Sequence, residues 1–98
     1  MQRGGILYII ASPNKTTVYV GVTSNLYKRV FEHRSKVYPS SFSAKYNCVE
    51  LVYYRHFERI EEAIAEEKRI KSGSRSAKER LIIGMNPEWR DLWPELTM

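Results

Sequence analysis

Cysteine occurs once in this chain, at Cys48. One thiol excludes an internal disulfide framework and a cysteine-built zinc site. Nothing at motif spacing supports Cys48 as a nucleophile, so it reads as a small buried hydrophobe. Glycine (5) and proline (4) are too few for a fibrous or low-complexity protein. No apolar run approaches the roughly 18–20 residues that a membrane span needs. No small-residue cleavage site follows Met1-Gln2-Arg3-Gly4-Gly5, so the next residues, Ile6 to Ile10, read as a strand rather than a signal peptide, and the cytosol is the expected compartment. What the chain does have is aromatic bulk: seven Tyr, three Phe and two Trp argue against disorder. Ninety-eight residues suit one domain, 1–98, without a second core.

Charge is unevenly placed. Residues 1–56 hold eight Lys/Arg against only Glu32 and Glu50, whereas 57–98 hold eight against nine acids. Within the second half, Lys68 to Arg80 carries six bases and one acid, Glu79. Such a distribution suits a polyanionic partner such as nucleic acid, and equally a solubilising surface. The bases best placed to meet phosphates are Lys28, Arg34, Lys45, Lys68, Arg69, Lys71, Arg75, Lys78 and Arg80.

Periodicity and punctuation predict an α/β chain of the α+β kind. A three-stranded antiparallel sheet with flanking helices is expected, in the order ββαβαα. Ile6 to Ile10 and Thr17 to Val22 are β-rich runs around Ser12-Pro13-Asn14-Lys15, a turn in which Pro pre-sets the first central φ. Thr23-Ser24-Asn25 offers N-cap oxygens to a helix over 26–34. Residues 35–47, with Pro39, read as a loop, and Val49 to Phe57 as the third strand. A second helix runs from Glu58 or Arg59 to Lys71, stopped by Ser72-Gly73. A third is capped by Ser74 or Ser76 and reaches about Ile83, and Asn86-Pro87-Glu88-Trp89 opens a short tail. His56 is assigned to the sheet edge or surface. Trp89, Leu92 and Trp93 read as a clasp for the tail, although exposed aromatics can also stack bases.

Three features suggest a site. A turn centred between Pro13 and Asn14 places Tyr8 opposite Tyr19 and Ile6 opposite Gly21, and glycine inside a strand often marks a close approach. Arg29 and His33, four apart on the first helix, project together from one flank; no carboxylate obviously pairs with Arg29. On the second helix Ile60, Ala63, Ile64 and Ile70 form an apolar stripe that contains Glu67. A carboxylate there needs a basic partner or a metal, because burying it alone is costly. Glu61, Glu62 and Glu66 read as a solvated face.

Together, Ile6-Leu7-Tyr8, Tyr19-Val20-Gly21, Arg29, His33, Glu67 and Asn86 resemble the GIY-YIG nuclease superfamily. The resemblance spans nearly the whole chain and is closest to small stand-alone bacterial members. Gly21-Val22-Thr23-Ser24-Asn25-Leu26, Leu51-Val52-Tyr53-Tyr54, Ala63 to Lys71 and Asn86 to Leu92 strengthen it. It implies hydrolysis of a nucleic-acid phosphodiester, with DNA the expected polymer, assisted by one Mg²⁺ (or Mn²⁺). By position Glu67 resembles the metal-binding carboxylate and Arg29 the arginine that stabilises the scissile phosphate. Tyr8 and Tyr19 resemble the pair that positions or deprotonates the attacking water, with either as the base. His33 resembles the supporting proton-transfer residue, and Asn86 the late asparagine of the family. The pattern departs at Ile6, Leu7 and Val20, at Arg55 where relatives usually carry an acid, at Glu66 where they often carry a base, and at Ser72-Gly73. A binding module with little cleavage, and an interaction protein with a merely structural polar cluster, are the alternatives.

Overall fold

The structure, a computed structural model, describes residues 4–96; Met1-Gln2-Arg3, ahead of the first strand, lies outside them. β1 (Gly5–Ala11) is the central strand, flanked antiparallel by β2 (Val18–Thr23) and β3 (Glu50–Phe57). Alternation along β1 sends Leu7, Ile9 and Ala11 to one face and Tyr8 and Ile10 to the other, and both faces are covered. The odd face packs with Val20, Val52, Ile70 and Ile82, against α3 (Ile60–Lys71) and α4 (Arg75–Met85). Gly5 permits the close seating of α3, since a Cβ there would lie 2.8 Å from the Ile60 Cα. The even face packs with Leu26 and Val30 of α1 (Leu26–Arg34), Cys48, Leu51 and Leu92. Two short helices extend the expected order: α2 (Phe42–Lys45), inside the segment read as a loop, and α5 (Trp93–Leu96) in the tail.

The expected turn residues are present, but the strands return in a different register. Lys15 N–H donates to the Ser12 carbonyl across Pro13-Asn14 at 2.8 Å. Lys15 then adopts φ 63° and Thr16 hydrogen-bonds the Asn14 side chain, so two more residues remain in the loop. Tyr8 therefore pairs with Gly21, not Tyr19, and Ile10 pairs with Tyr19. A shift of two leaves every side chain on its original face, and Tyr8 and Tyr19 become diagonal neighbours with ring centroids 6.5 Å apart. On the other side of β1, Tyr53 lies opposite Ile9 and Leu51 opposite Ile10, leaving Val52 as the extra residue of a bulge.

The helix caps follow the sequence. Asn25 Oδ1 accepts from the Lys28 N–H, Ser74 Oγ accepts from the Ala77 N–H, and α3 stops at Ser72. Cys48 is buried and His56 is exposed on β3, an edge strand. Trp89 and Trp93 pack on opposite faces of the sheet, so they clasp the tail at two separate places.

Asn86 holds the tail to the sheet. Its buried amide donates to the Val52 carbonyl (3.2 Å) and the Arg90 carbonyl (2.7 Å) and accepts from the Arg90 N–H (3.0 Å). Asn86→Ala leaves three backbone groups without these partners and is expected to cost about 2–3 kcal/mol. The check is thermal unfolding, in which a drop of about 4–8 °C per kcal/mol applies to a domain of this size; an unchanged midpoint would contradict the clamp.

Candidate active site

Tyr8 lies at the centre of the even face, 1% exposed. Its Oη is 2.9 Å from His33 Nε2 and accepts from Arg29 Nε–H at 3.4 Å. Arg29 and His33 are four apart on α1, as their spacing required, but His33 points inward and is buried, whereas Arg29 stays half-buried. The other imidazole nitrogen, Nδ1, is 2.8 Å from Ser43 Oγ on α2, and Ser43 is itself buried and 3.3 Å from Ser41 Oγ. Gly21 leaves room for the phenol: a Cβ there would sit 2.5 Å from Tyr8 Oη.

The electrostatics follow from this burial. Burial pushes the Tyr8 phenol up to about 12; Arg29 opposes that rise, while Tyr19 and Glu67 add to it. Burial, then the charge of Arg29, lowers His33 to about 4, with Glu32 working the other way. At neutral pH the imidazole is therefore uncharged, with one nitrogen donating and the other accepting. Burial also works against the Arg29 charge, but Tyr8 and Glu32 outweigh it and raise its pKa. Glu32 is the carboxylate that the sequence left unassigned for Arg29: its Oε1 is 3.2 Å from Nη1, at i,i+3.

Tyr19 borders the cluster. Its ring lies 5.6 Å from that of His33, and among the described residues its hydroxyl has no hydrogen-bond partner. Lys71 Nζ stands 5.5 Å above the Tyr19 ring and 3.7 Å from Glu67 Oε2. Glu67 shares the inward side of α3 with Ala63 and Ile70, its side chain 20% exposed. Ile64, expected in that stripe, faces solvent instead. Glu66 departs from its expected solvated role: it is as shielded as Glu67, its carboxylate bidentate to Arg69 at 2.6 and 2.8 Å, and Arg69 holds it below the usual carboxylate range.

Among the described residues no three His, Cys, Asp or Glu side chains converge on a metal position. Glu67 is a single hard-oxygen donor at the rim of the tyrosine cluster. That fits Mg²⁺, which keeps several waters and is commonly held by one or two carboxylates plus substrate phosphates.

A family model, the GIY-YIG catalytic domain, matches residues 4–80. This chain belongs to the GIY-YIG family. It is similar to a UPF0213 protein of Syntrophus aciditrophicus, 34% identical over 82 residues spanning 84% of this chain and 92% of that protein. A UPF0213 protein of Natronomonas pharaonis is 36% identical over 86 residues, 84% and 94% of the two chains. The solution NMR structure of a UPF0213 protein from Bacillus halodurans shares the fold, with a TM-score of 0.57 at 24% identity over 90% of this chain and 92% of that one.

In this GIY-YIG domain Tyr8, Tyr19, Arg29, His33 and, at the rim, Glu67 come together. Asn86 stands apart, its amide committed to backbone groups of the tail and β3. Arg55 Nη1 and Glu66 Oε2 are 3.8 Å apart, an ion pair between β3 and α3. Several expected phosphate contacts serve the fold. Arg34 binds Asp91 (2.7 Å) and the Val49 carbonyl, Arg75 donates to the Lys15 and Thr16 carbonyls, and Lys78 donates to the Gly73 carbonyl. Lys28, Lys45 and Lys68 are exposed and, among the described residues, make no ion pair. Sequence reasoning missed Ser43 and Glu32. The Ser41-Phe42-Ser43-Ala44 stretch carries an N-cap signal for α2, and Glu32 is at ordinary helical spacing from Arg29.

Proposed function

We propose that the protein is a metal-dependent endonuclease that hydrolyses phosphodiester bonds of nucleic acid, DNA foremost, in the cytoplasm and in pathways such as repair or recombination. The observation that carries this reading is the Tyr8 hydroxyl held between His33 and Arg29 beside Glu67. A phosphodiester is anionic and resists attack, so catalysis depends on positive charge set where oxygens gain negative charge. Arg29, held protonated and half-exposed, is the side chain that meets the scissile phosphate. Glu67 would hold Mg²⁺ or Mn²⁺, which as a Lewis acid neutralises charge on phosphoryl oxygens and lowers the pKa of bound water.

The proton path runs through the chain's own residues. A phenol at about 12 cannot serve as a free base at neutral pH. It can take a proton from the attacking water while passing its own to neutral His33 Nε2, with Nδ1–H donating to Ser43. A phosphate paired with Arg29 weakens the charge that depresses His33, so substrate makes the imidazole a better acceptor. Tyr19, its hydroxyl without a partner among the described residues and its ring against His33, orients the water or the phosphate.

The test is nicking of supercoiled and branched DNA with Mg²⁺ or Mn²⁺, wild type against Glu67→Ala. Loss of a Lewis acid worth several kcal/mol is expected to lower the rate at least about 10³-fold, with the thermal midpoint little changed. Cleavage that survives the substitution removes Glu67 from the metal site. If both proteins bind DNA in a salt-sensitive way and neither cuts it, the binding-module alternative replaces the nuclease.

A further inference from the structure

From His33 to Val49 the chain contains no acid, and its formal charges are Arg34, Lys36 and Lys45. α2 and the residue that caps its C-terminus, in the middle of that stretch, leave two large rings in solvent: Phe42 is 49% exposed and Tyr46 47%. Their centroids are 4.6 Å apart. Neither ring belongs to the core of either sheet face, so core packing does not account for them. They are nonetheless continuous with the active site. The Phe42 ring stacks on Tyr19 at 6.2 Å and 29°, and Tyr19 in turn lies 5.6 Å from His33. Cations accompany this row of rings, with Lys71 Nζ over Tyr19 and Lys45 Nζ 5.8 Å over Tyr46. Beside Tyr46 a cleft of about 350 Å³ opens, walled also by Asn47 and Thr16.

Resting on the nuclease reading above, we propose that Phe42 and Tyr46 form a stacking subsite for an unpaired nucleobase of the strand being cut. Every base presents a π-face to an exposed ring, and lysines alongside neutralise the phosphates that follow it. A base inside a duplex has both faces covered by its neighbours, so the subsite takes bases from single-stranded, flapped or locally opened substrate. The absence of acids across the whole segment gives the surface the charge that a phosphate chain requires, and the stacked row joins it directly to Tyr19.

The experiment measures binding of the full chain, in EDTA so that no strand is cut. Fluorescence anisotropy compares a labelled oligodeoxythymidine with an all-abasic strand carrying the same number of phosphates. Wild type is expected to prefer the base-bearing strand. Tyr46→Ala and Phe42→Leu, the latter keeping apolar bulk against Tyr19, should each lose about tenfold on that strand and little on the abasic one. Lys45→Ala should weaken both strands alike and flatten the salt dependence. Circular dichroism and thermal unfolding confirm that each variant is folded. Equal losses on the two strands, or no wild-type preference for bases, overturn the stacking subsite and leave the nuclease reading standing. Failure of wild type to bind either strand, or any duplex, overturns the nucleic-acid reading itself.

Discussion

Gly21→Ala is expected to damage stability and activity together. The new Cβ would lie 2.5 Å from Tyr8 Oη, 2.6 Å from Cζ and 3.0 Å from Cε1, so the whole edge of the ring is in the way rather than one flexible tip. The ring has no easy retreat, because it is wedged among Ile10, Leu26, Val30 and Leu51. Overpacking of this kind costs about 1–3 kcal/mol, which in a domain of this size lowers the thermal midpoint by about 4–8 °C per kcal/mol. Any displacement of the ring also moves Oη off His33 and Arg29. A misplacement of about 1 Å can cost on the order of 100-fold in rate. Parallel measurement of unfolding and nicking decides the matter. A variant with wild-type midpoint and wild-type rate would mean that Tyr8 has slack which the packing around it does not show.

Tyr8→Phe isolates the chemistry from the packing, since the ring and its neighbours stay. The hydroxyl's loss removes the contact with His33 Nε2 and the acceptor for Arg29 Nε–H. If Tyr8 relays the water's proton, the rate falls by about 10²–10⁴-fold, the range for general acid–base catalysis. His33 is buried, so the lost partner also costs about 1–3 kcal/mol. Tyr19→Phe is the matched control: its hydroxyl has no partner among the described residues, so stability should barely move and any rate loss reports contact with substrate. The pH profile gives an independent check. His33 sits at about 4, below its usual value, because burial and Arg29 disfavour the cation. Its neutral, proton-accepting form therefore persists from neutral pH down to that region. Wild-type kcat/KM should hold to well below pH 6 and fall only as pH drops through about 4. A break near the ordinary histidine value of about 6.5 would place His33 in water rather than beneath Tyr8.

The core of the site was legible because it lies on regular elements. Period two put Tyr8, Tyr19 and Gly21 on one face, and the error of two residues in the hairpin register did not matter, since an even shift preserves faces. Period 3.6 put Arg29 beside His33 and Glu67 on the inward side of α3. What spacing left open was depth: a flank position on α1 is compatible with a solvated pair, and it is the tertiary packing, with Tyr8, Tyr19 and Ser43 of α2 against the imidazole, that leaves His33 buried. Ser43 was out of reach for the same reason, because it meets His33 from a segment rich in Ser and Lys whose periodicity is too short to announce a helix.

By itself, then, the sequence determined the order of the three strands and three longer helices, the face that each hairpin residue occupies, the caps of α1 and α4 and the identity of the chemical groups, all of which are local in the chain. The tertiary structure alone decided which charges are spent on the fold. Arg34, Arg75 and Lys78 bind carbonyls and carboxylates up to some 60 positions away in sequence, Glu66 answers Arg55 across two elements, and Asn86 joins the tail rather than the tyrosines. A side chain's spacing sets its direction from its own element. Its partner and its protonation depend on burial and on neighbours brought in from elsewhere in the chain, and those exist only once the sheet and helices have closed on one another.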